Sequence, residues 1–246
     1  MIDDILHDAI KYAKRFFGRR TTNKFYPDLS VLPESEQSIY QRSTIVSRME
    51  RHKKIRLELY NLKEIDQKHQ YLLSNEHNNL VGNCPELCLA AYIYLTKERA
   101  KDIWELYSAS WNYEYPQLTC PIYIQQIYTL GVYDHVFLLL DHPDSIVRRP
   151  KIGTIYHELP EGTWVCDPWA DIVCLAEDYN DRWKHRMMEW NHQGMCLLLK
   201  SPGSSSPSAE SLSPLKKYTY LTVECSDKQV YRMSAIYQDG QVETFH

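Results

Sequence analysis

Glycine is scarce and scattered: eight residues, with neither Gly-x-Gly nor Gly-Lys-Ser/Thr anywhere. The chain therefore lacks the loop that cradles nucleotide phosphates. No Cys-x-x-Cys pair and no His-Glu-x-x-His occur, and Cys84 and Cys88 have no His pair to match them. Neither a metal site nor a cofactor is expected from these spacings. No uninterrupted apolar run approaches the ~20 residues needed to span a bilayer, so no transmembrane segment is expected. A formal net charge of −4 offers no basic surplus for nucleic acid. The seven cysteines are odd in number and show no framework-like spacing, a pattern that fits a reducing compartment such as the cytosol. Met1-Ile2-Asp3-Asp4-Ile5-Leu6-His7-Asp8 is acidic where a cleaved secretory signal has a basic start and an apolar core.

What is present suffices for one main core, with 43% hydrophobic and 24% charged residues over 246 positions. Ile2, Ile5, Leu6, Ala9, Ala13, Phe16 and Phe17 recur at helical spacing and stop at Gly18. Residues 35–73 read as helical, although 55–59 alternate like a strand, and 97–111 and 175–190 read as further helices. The cluster Arg51-His52-Lys53-Lys54 reads as a solvated face. Residues 195–199 are strand-like, and 201–217 contain a Ser/Pro-rich linker or loop. Beyond it, Tyr218–Val223, Gln229–Ala235 and Val242–Phe245 read as strands, with Asp239-Gly240 as a hairpin turn. The expected organisation is an α+β domain over 1–200 with a helical N-terminal part, the linker, and a C-terminal hairpin extension over 218–246.

Three positions carry chemistry. Cys84 lies in Gly82-Asn83-Cys84-Pro85-Glu86-Leu87, just before an apolar run from Leu87 to Leu95. Pro85 suits the first helical position, where its missing N–H is not needed. Cys84 would then cap a helix buried on all faces, where unpaired N–H groups and the helix dipole favour a thiolate. Its pKa could fall from about 8.5 into the range of roughly 3.5–7.5. His135 opens the strand-like run Val136-Phe137-Leu138-Leu139-Leu140, and Gly162-Thr163-Trp164-Val165-Cys166 delivers Asp167. Residues 152–157 are expected to add a strand to the same antiparallel meander. Neighbouring strands would let Asp167 orient the His135 imidazole, as the third member of a triad does.

Cys, His and Asp in this order, with Tyr133-Asp134-His135-Val136-Phe137 and Asp167-Pro168-Trp169-Ala170, resemble the papain-like and transglutaminase-like cysteine enzyme superfamily. The likeness spans roughly residues 78–171 and is strongest to bacterial effector and toxin deamidases and transglutaminases, with proteases close by. It implies a nucleophile-bearing helix packed on an antiparallel sheet, with Cys84 as nucleophile, His135 as base and Asp167 as orienting acid. It also implies an upstream amide in the oxyanion hole; Asn78, Asn79 and Asn83 are the close candidates, and Trp169 could wall a substrate cleft. The partner implied is a protein substrate, a host protein if the chain is an effector, reached in the cytosol or after delivery to a host cytosol without a cleaved signal.

Taken singly, a cysteine is more often packing than catalytic, and Cys88, one turn after Cys84, is read that way. Order and placement at element ends carry the catalytic reading. Glutamine deamidation, crosslinking and proteolysis share one thioester intermediate, so the trio alone does not choose among them. The rival is a non-enzymatic interaction module that keeps the fold and buries an unreactive Cys84.

Overall fold

The computed structural model describes residues 1–110, 121–130, 135–141, 150–198, 211–216, 223–224 and 226–245. Its first helix, α1 (Ile2–Phe17), buries Ile5, Leu6, Ala9, Ile10, Ala13, Phe16 and Phe17 along one face. Asp3 and Asp4 occupy its first turn, Lys14 and Arg15 its last, matching the dipole, and Gly18 ends it at φ 55°.

Residues 35–73 form α2 (Glu34–Tyr40), α3 (Arg42–Asn61) and α4 (Ile65–Ser74). The strand-like alternation at 55–59 gives way to helical spacing because Ile45, His52, Ile55 and Leu59 share one buried face of α3. Next comes α5 (Cys84–Ile93), in which Cys84 and every residue from Glu86 to Ile93 are buried. α1 packs along α5. The approach to α5 is so close that a methyl group on Gly82 would sit 2.7 Å from Phe17 Cδ1 and 2.8 Å from Glu86 Cβ. Gly82→Ala is expected to lower stability by about 1–3 kcal/mol, read from urea unfolding; an unchanged midpoint would show that the neighbours yield freely. α6 (Ala100–Ser110) and α7 (Ala176–His192) fall where periodicity predicts helices.

The strands are β1 (Lys24–Phe25), β2 (Ile122–Leu130), β3 (Val136–Leu140), β4 (Ile155–Tyr156), β5 (Trp164–Asp167), β6 (Ile172–Leu175), β7 (Cys196–Leu198), β8 (Ser211–Leu212), β9 (Asp227–Ile236) and β10 (Val242–Phe245). The main sheet runs β10-β9-β2-β3-β5-β6 with antiparallel neighbours throughout. β1, β7 and β8 make a second, small sheet. The architecture is thus α+β, with α5 lying against β3 and β2, and α7 against β6 and β5.

Two strands depart from expectation. Residues 152–157 do not join the strands that deliver His135 and Asp167; β3 pairs directly with β5, Leu138 opposite Cys166, and β4 pairs with β9 instead. The reason is burial: all of β3 and Val165 to Asp167 of β5 are buried, whereas Ile155 is exposed and suits an edge. β2, which the sequence reading leaves unassigned, is a nine-residue strand rich in Ile and Tyr.

The C-terminal hairpin joins the main sheet, with β9 inside it next to β2 and β10 at the edge. Within the expected 201–217 linker, Ser211 and Leu212 pair with Leu198 and Leu197. The Ser/Pro-rich residues 201–208, residues 218–222 of the strand expected over Tyr218–Val223, Trp111, Tyr133, Asp134 and His142 lie outside the described residues, and Val223 itself is helical. Among the described residues, no helix is long and apolar enough to cross a membrane.

Candidate active site

Because β3 and β5 are neighbours, the residue before β3 and the last residue of β5 come side by side. His135 Nε2 and Asp167 Oδ2 lie 2.7 Å apart. The His135 backbone is fixed to the adjacent strand: its N–H donates to Thr129 Oγ1 at 2.9 Å, and its carbonyl accepts from the Thr129 N–H at 2.9 Å. Asp167 is held from four sides. Oδ2 also accepts from the Tyr179 hydroxyl at 2.9 Å, while Oδ1 accepts the Trp169 N–H at 3.1 Å and the Ala170 N–H at 3.0 Å.

Burial pushes the Asp167 carboxyl up. The His135 charge and hydrogen bond, the Ala170 N–H and the Tyr179 hydroxyl pull it further down, leaving it below the ordinary carboxylate range. An ionised carboxylate can only accept, so His135 Nε2 carries a proton and Nδ1 is left as the basic nitrogen. Aromatic rings enclose the imidazole: Trp183, Trp169 and Phe137 have centroids 4.8, 5.3 and 6.0 Å from it. His135 is 4% exposed and Asp167 0%, so their attraction acts in a medium of low dielectric.

Cys84 is the first residue of α5, with Asn83 as the N-cap and Pro85 one position later than the sequence suggests. The shift costs nothing, since N–H groups throughout the first turn lack intrahelical partners. Cys84 is 5% exposed. One turn on, the Cys88 thiol donates to the Val136 carbonyl at 3.0 Å, joining α5 to the residue next to His135. Burial, with Asp167 and Cys84 as negative neighbours, raises the Cys88 thiol well above its ordinary range. That suits the packing role read from its sequence position.

The oxyanion candidates divide. Asn83 Nδ2 donates to Thr22 Oγ1 at 2.8 Å and its Oδ1 accepts from the Thr22 N–H at 2.9 Å, so this amide ties the 20–23 segment to α5. Asn78 and Asn79 are exposed in the turn after α4, with Asn78 Nδ2 bonded to Asn75 Oδ1 at 2.9 Å. Trp169 packs on His135 and Trp190, and its Nε1 donates to Asn23 Oδ1 at 3.2 Å.

Several supporting residues escape the sequence reading. His52 is 2% exposed, not on a solvated face. It lies 2.9 Å from Glu86 Oε2, and Arg56 Nε donates to Glu86 Oε1 at 2.8 Å. Glu86 Oε2 also accepts from the Asn83 N–H at 2.8 Å, so the cluster anchors the start of α5. Burial opposes ionisation of Glu86, but the His52 and Arg56 contacts prevail and lower it from 4.5 to about 2. A carboxylate with a depressed folded value contributes stability above its unfolded value and loses it as pH falls. The wild type is therefore expected to lose about 3 kcal/mol between pH 4.5 and pH 2 through this group. Glu86→Gln should be less stable at pH 7 and lack that share of the acid loss, measured by denaturant titration at each pH. An equal acid loss in both proteins would rule this out.

Tyr179 and Trp183 belong to a buried stripe with Met187 and Trp190 on α7, and that aromatic spacing was the available signal. Tyr231 is the extra residue of a bulge in β9, where Gln126 faces Arg232 and Ile127 faces Val230. Among the described residues, no three His, Cys, Asp or Glu side chains converge to hold a metal ion.

Comparison with known proteins yields no relative: no family model, no curated protein and no solved structure matches the chain.

Proposed function

We propose that the chain catalyses thiol-dependent acyl transfer on protein amides, with glutamine deamidation or transglutamination as the foremost outcome, on a papain-like or transglutaminase-like core. The observation that carries this is the buried His135–Asp167 pair at 2.7 Å, formed where two strands end beside the helix that begins with Cys84. A solvent-shielded imidazole locked by a carboxylate that has four hydrogen-bond partners exceeds what packing requires.

Cys84 Sγ, its thiol proton passed to His135 Nδ1, would attack the amide carbonyl carbon, forming a C–S bond and a tetrahedral oxyanion. Backbone N–H groups of the first turn of α5, Cys84 included, would meet that oxygen. His135 Nδ1 would pass its proton to the nitrogen as the C–N bond breaks. For a glutamine side chain the leaving group is ammonia, and the product is a thioester. Water, deprotonated by His135, would then release a carboxylate; a lysine amine would instead form a crosslink.

The test is product mass after incubation with glutamine-bearing protein substrates. Deamidation adds about one dalton to an intact chain, and an amine donor replaces water in a crosslink. Fragments instead would assign a cysteine protease. The 5% exposure of Cys84 favours a second reading, an interaction module without chemistry, in which partner binding persists and no product of any kind forms in Cys84→Ala or the wild type.

A further inference from the structure

A cavity of about 470 Å³ is lined by Trp169, the ring that packs on His135, and by Leu87, one turn after Cys84. Tyr26, Tyr40, Trp169 and Trp190 contribute aromatic walls, and charged side chains, the Glu36 and Asp171 carboxylates among them, line the rest. Most cations at its rim already have carboxylate partners: Lys14 Nζ lies 2.7 Å from Asp171, Arg19 2.6 Å from Glu36, and Arg186 2.7 Å from Glu189. Lys24 differs. Its ammonium sits 4.5 Å from the Trp169 ring centre and 4.1 Å from that of Trp190, and donates to the Trp169 carbonyl at 2.8 Å. No carboxylate among the described residues lies within ion-pairing distance of it.

An ammonium has three N–H donors. With one on the Trp169 carbonyl, two remain for a group inside the cavity. A cation over two indole rings, bonded to a neutral carbonyl and with no carboxylate in ion-pairing reach among the described residues, is matched by an anion with two acceptor oxygens. We propose that this cavity is a carboxylate-binding subsite in which Lys24 holds the side chain of an acidic residue flanking the reacting amide. Its role in substrate recognition rests on the acyl-transfer reading; carboxylate binding itself does not.

The electrostatics agree. Burial lowers the Lys24 ammonium to about 7; Asp167 and Asp171 oppose the fall, and Lys14 and Arg186 add to it. An entering carboxylate favours the charged amine, so affinity should decline as pH rises above 7, where a proton must be taken up on binding.

Tryptophan fluorescence reads the site directly, because Trp169 and Trp190 contact Lys24. Three probes are titrated: a peptide with a central Glu, its Ala counterpart, and free glutarate. The Glu peptide is expected to bind and the Ala peptide not. In Lys24→Met, which keeps the length of the side chain, binding weakens at least about tenfold. Binding of glutarate as well as the Glu peptide would show that a free carboxylate suffices; binding of the Glu peptide alone would show that the flanking main chain is also read. Should the variant not fold, amine acetylation of the wild type at pH 7, mapped by mass spectrometry, provides the same test: the Glu peptide should shield Lys24. The proposal is overturned if no carboxylate probe binds at concentrations up to about 10 mM, if the Ala peptide binds equally, if Lys24→Met binds unchanged, or if Lys24 is not shielded. Repeating the titration in Cys84→Ala separates the two ideas, since carboxylate binding there survives even where the wild type shows no turnover.

Discussion

Turnover of a glutamine-bearing protein substrate is expected to fall by on the order of 10⁴-fold or more in Cys84→Ala. The size follows from what is removed. Without the sulfur no thioester forms, and only substrate binding and oxyanion contacts remain, which supply a small residue of catalysis. Because Cys84 is one small side chain at the start of a helix held by Glu86 and Asn83, the variant should keep its fold. Mass spectrometry of the substrate after equal incubation times measures the loss. Turnover at the wild-type rate would remove the proposed mechanism.

The second large effect is expected at Asp167. In Asp167→Asn the amide places either N–H or oxygen toward His135. With N–H there, the imidazole must turn Nε2 into an acceptor and put its proton on Nδ1, which disables the base. A drop of roughly 10²–10⁴-fold in kcat is expected, with KM changed far less because Asp167 is fully buried and cannot touch substrate. Stability should fall too, by about 1–3 kcal/mol, since the Tyr179 hydroxyl and two backbone N–H groups were arranged for a carboxylate. The pH profile supplies a sign. The wild-type carboxyl is depressed on folding, so its stabilising share is present above the ordinary carboxylate range and lost in acid, and Asp167→Asn should lack that share. An unchanged kcat with reduced stability would leave Asp167 a structural residue only.

The parts of the site legible in sequence were those set by local pattern. An apolar run after Pro85 announces a buried helix, and five consecutive apolar residues after His135 announce a core strand; both stand as read. Their meeting depends on strand pairing, and there adjacency in the chain misled: β4 is the strand that follows β3 in the chain yet pairs with β9. The pairing of β9 inside the sheet was hidden because its partner β2 lies about a hundred residues earlier, and loop closure of that length leaves no local mark. His52 looked solvated because its neighbours Arg51, Lys53 and Lys54 are charged. Only the helical phase it shares with Ile45, Ile55 and Leu59 turns it inward to Glu86. Lys24 carries no signal in its own segment, since the indoles that enclose it come from the β5 end and α7.

The most direct measurement is the alkylation rate of Cys84 across about pH 4 to about pH 9, resolved by peptide mass spectrometry in the wild type and in His135→Ala. Activated acyl transfer predicts rapid labelling of Cys84 at acidic pH that is lost in His135→Ala, while the fully buried Cys88 stays unlabelled. Slow labelling of Cys84 in both proteins, rising only near the ordinary thiol value of about 8.5, would contradict the proposed chemistry and leave the fold as a binding module.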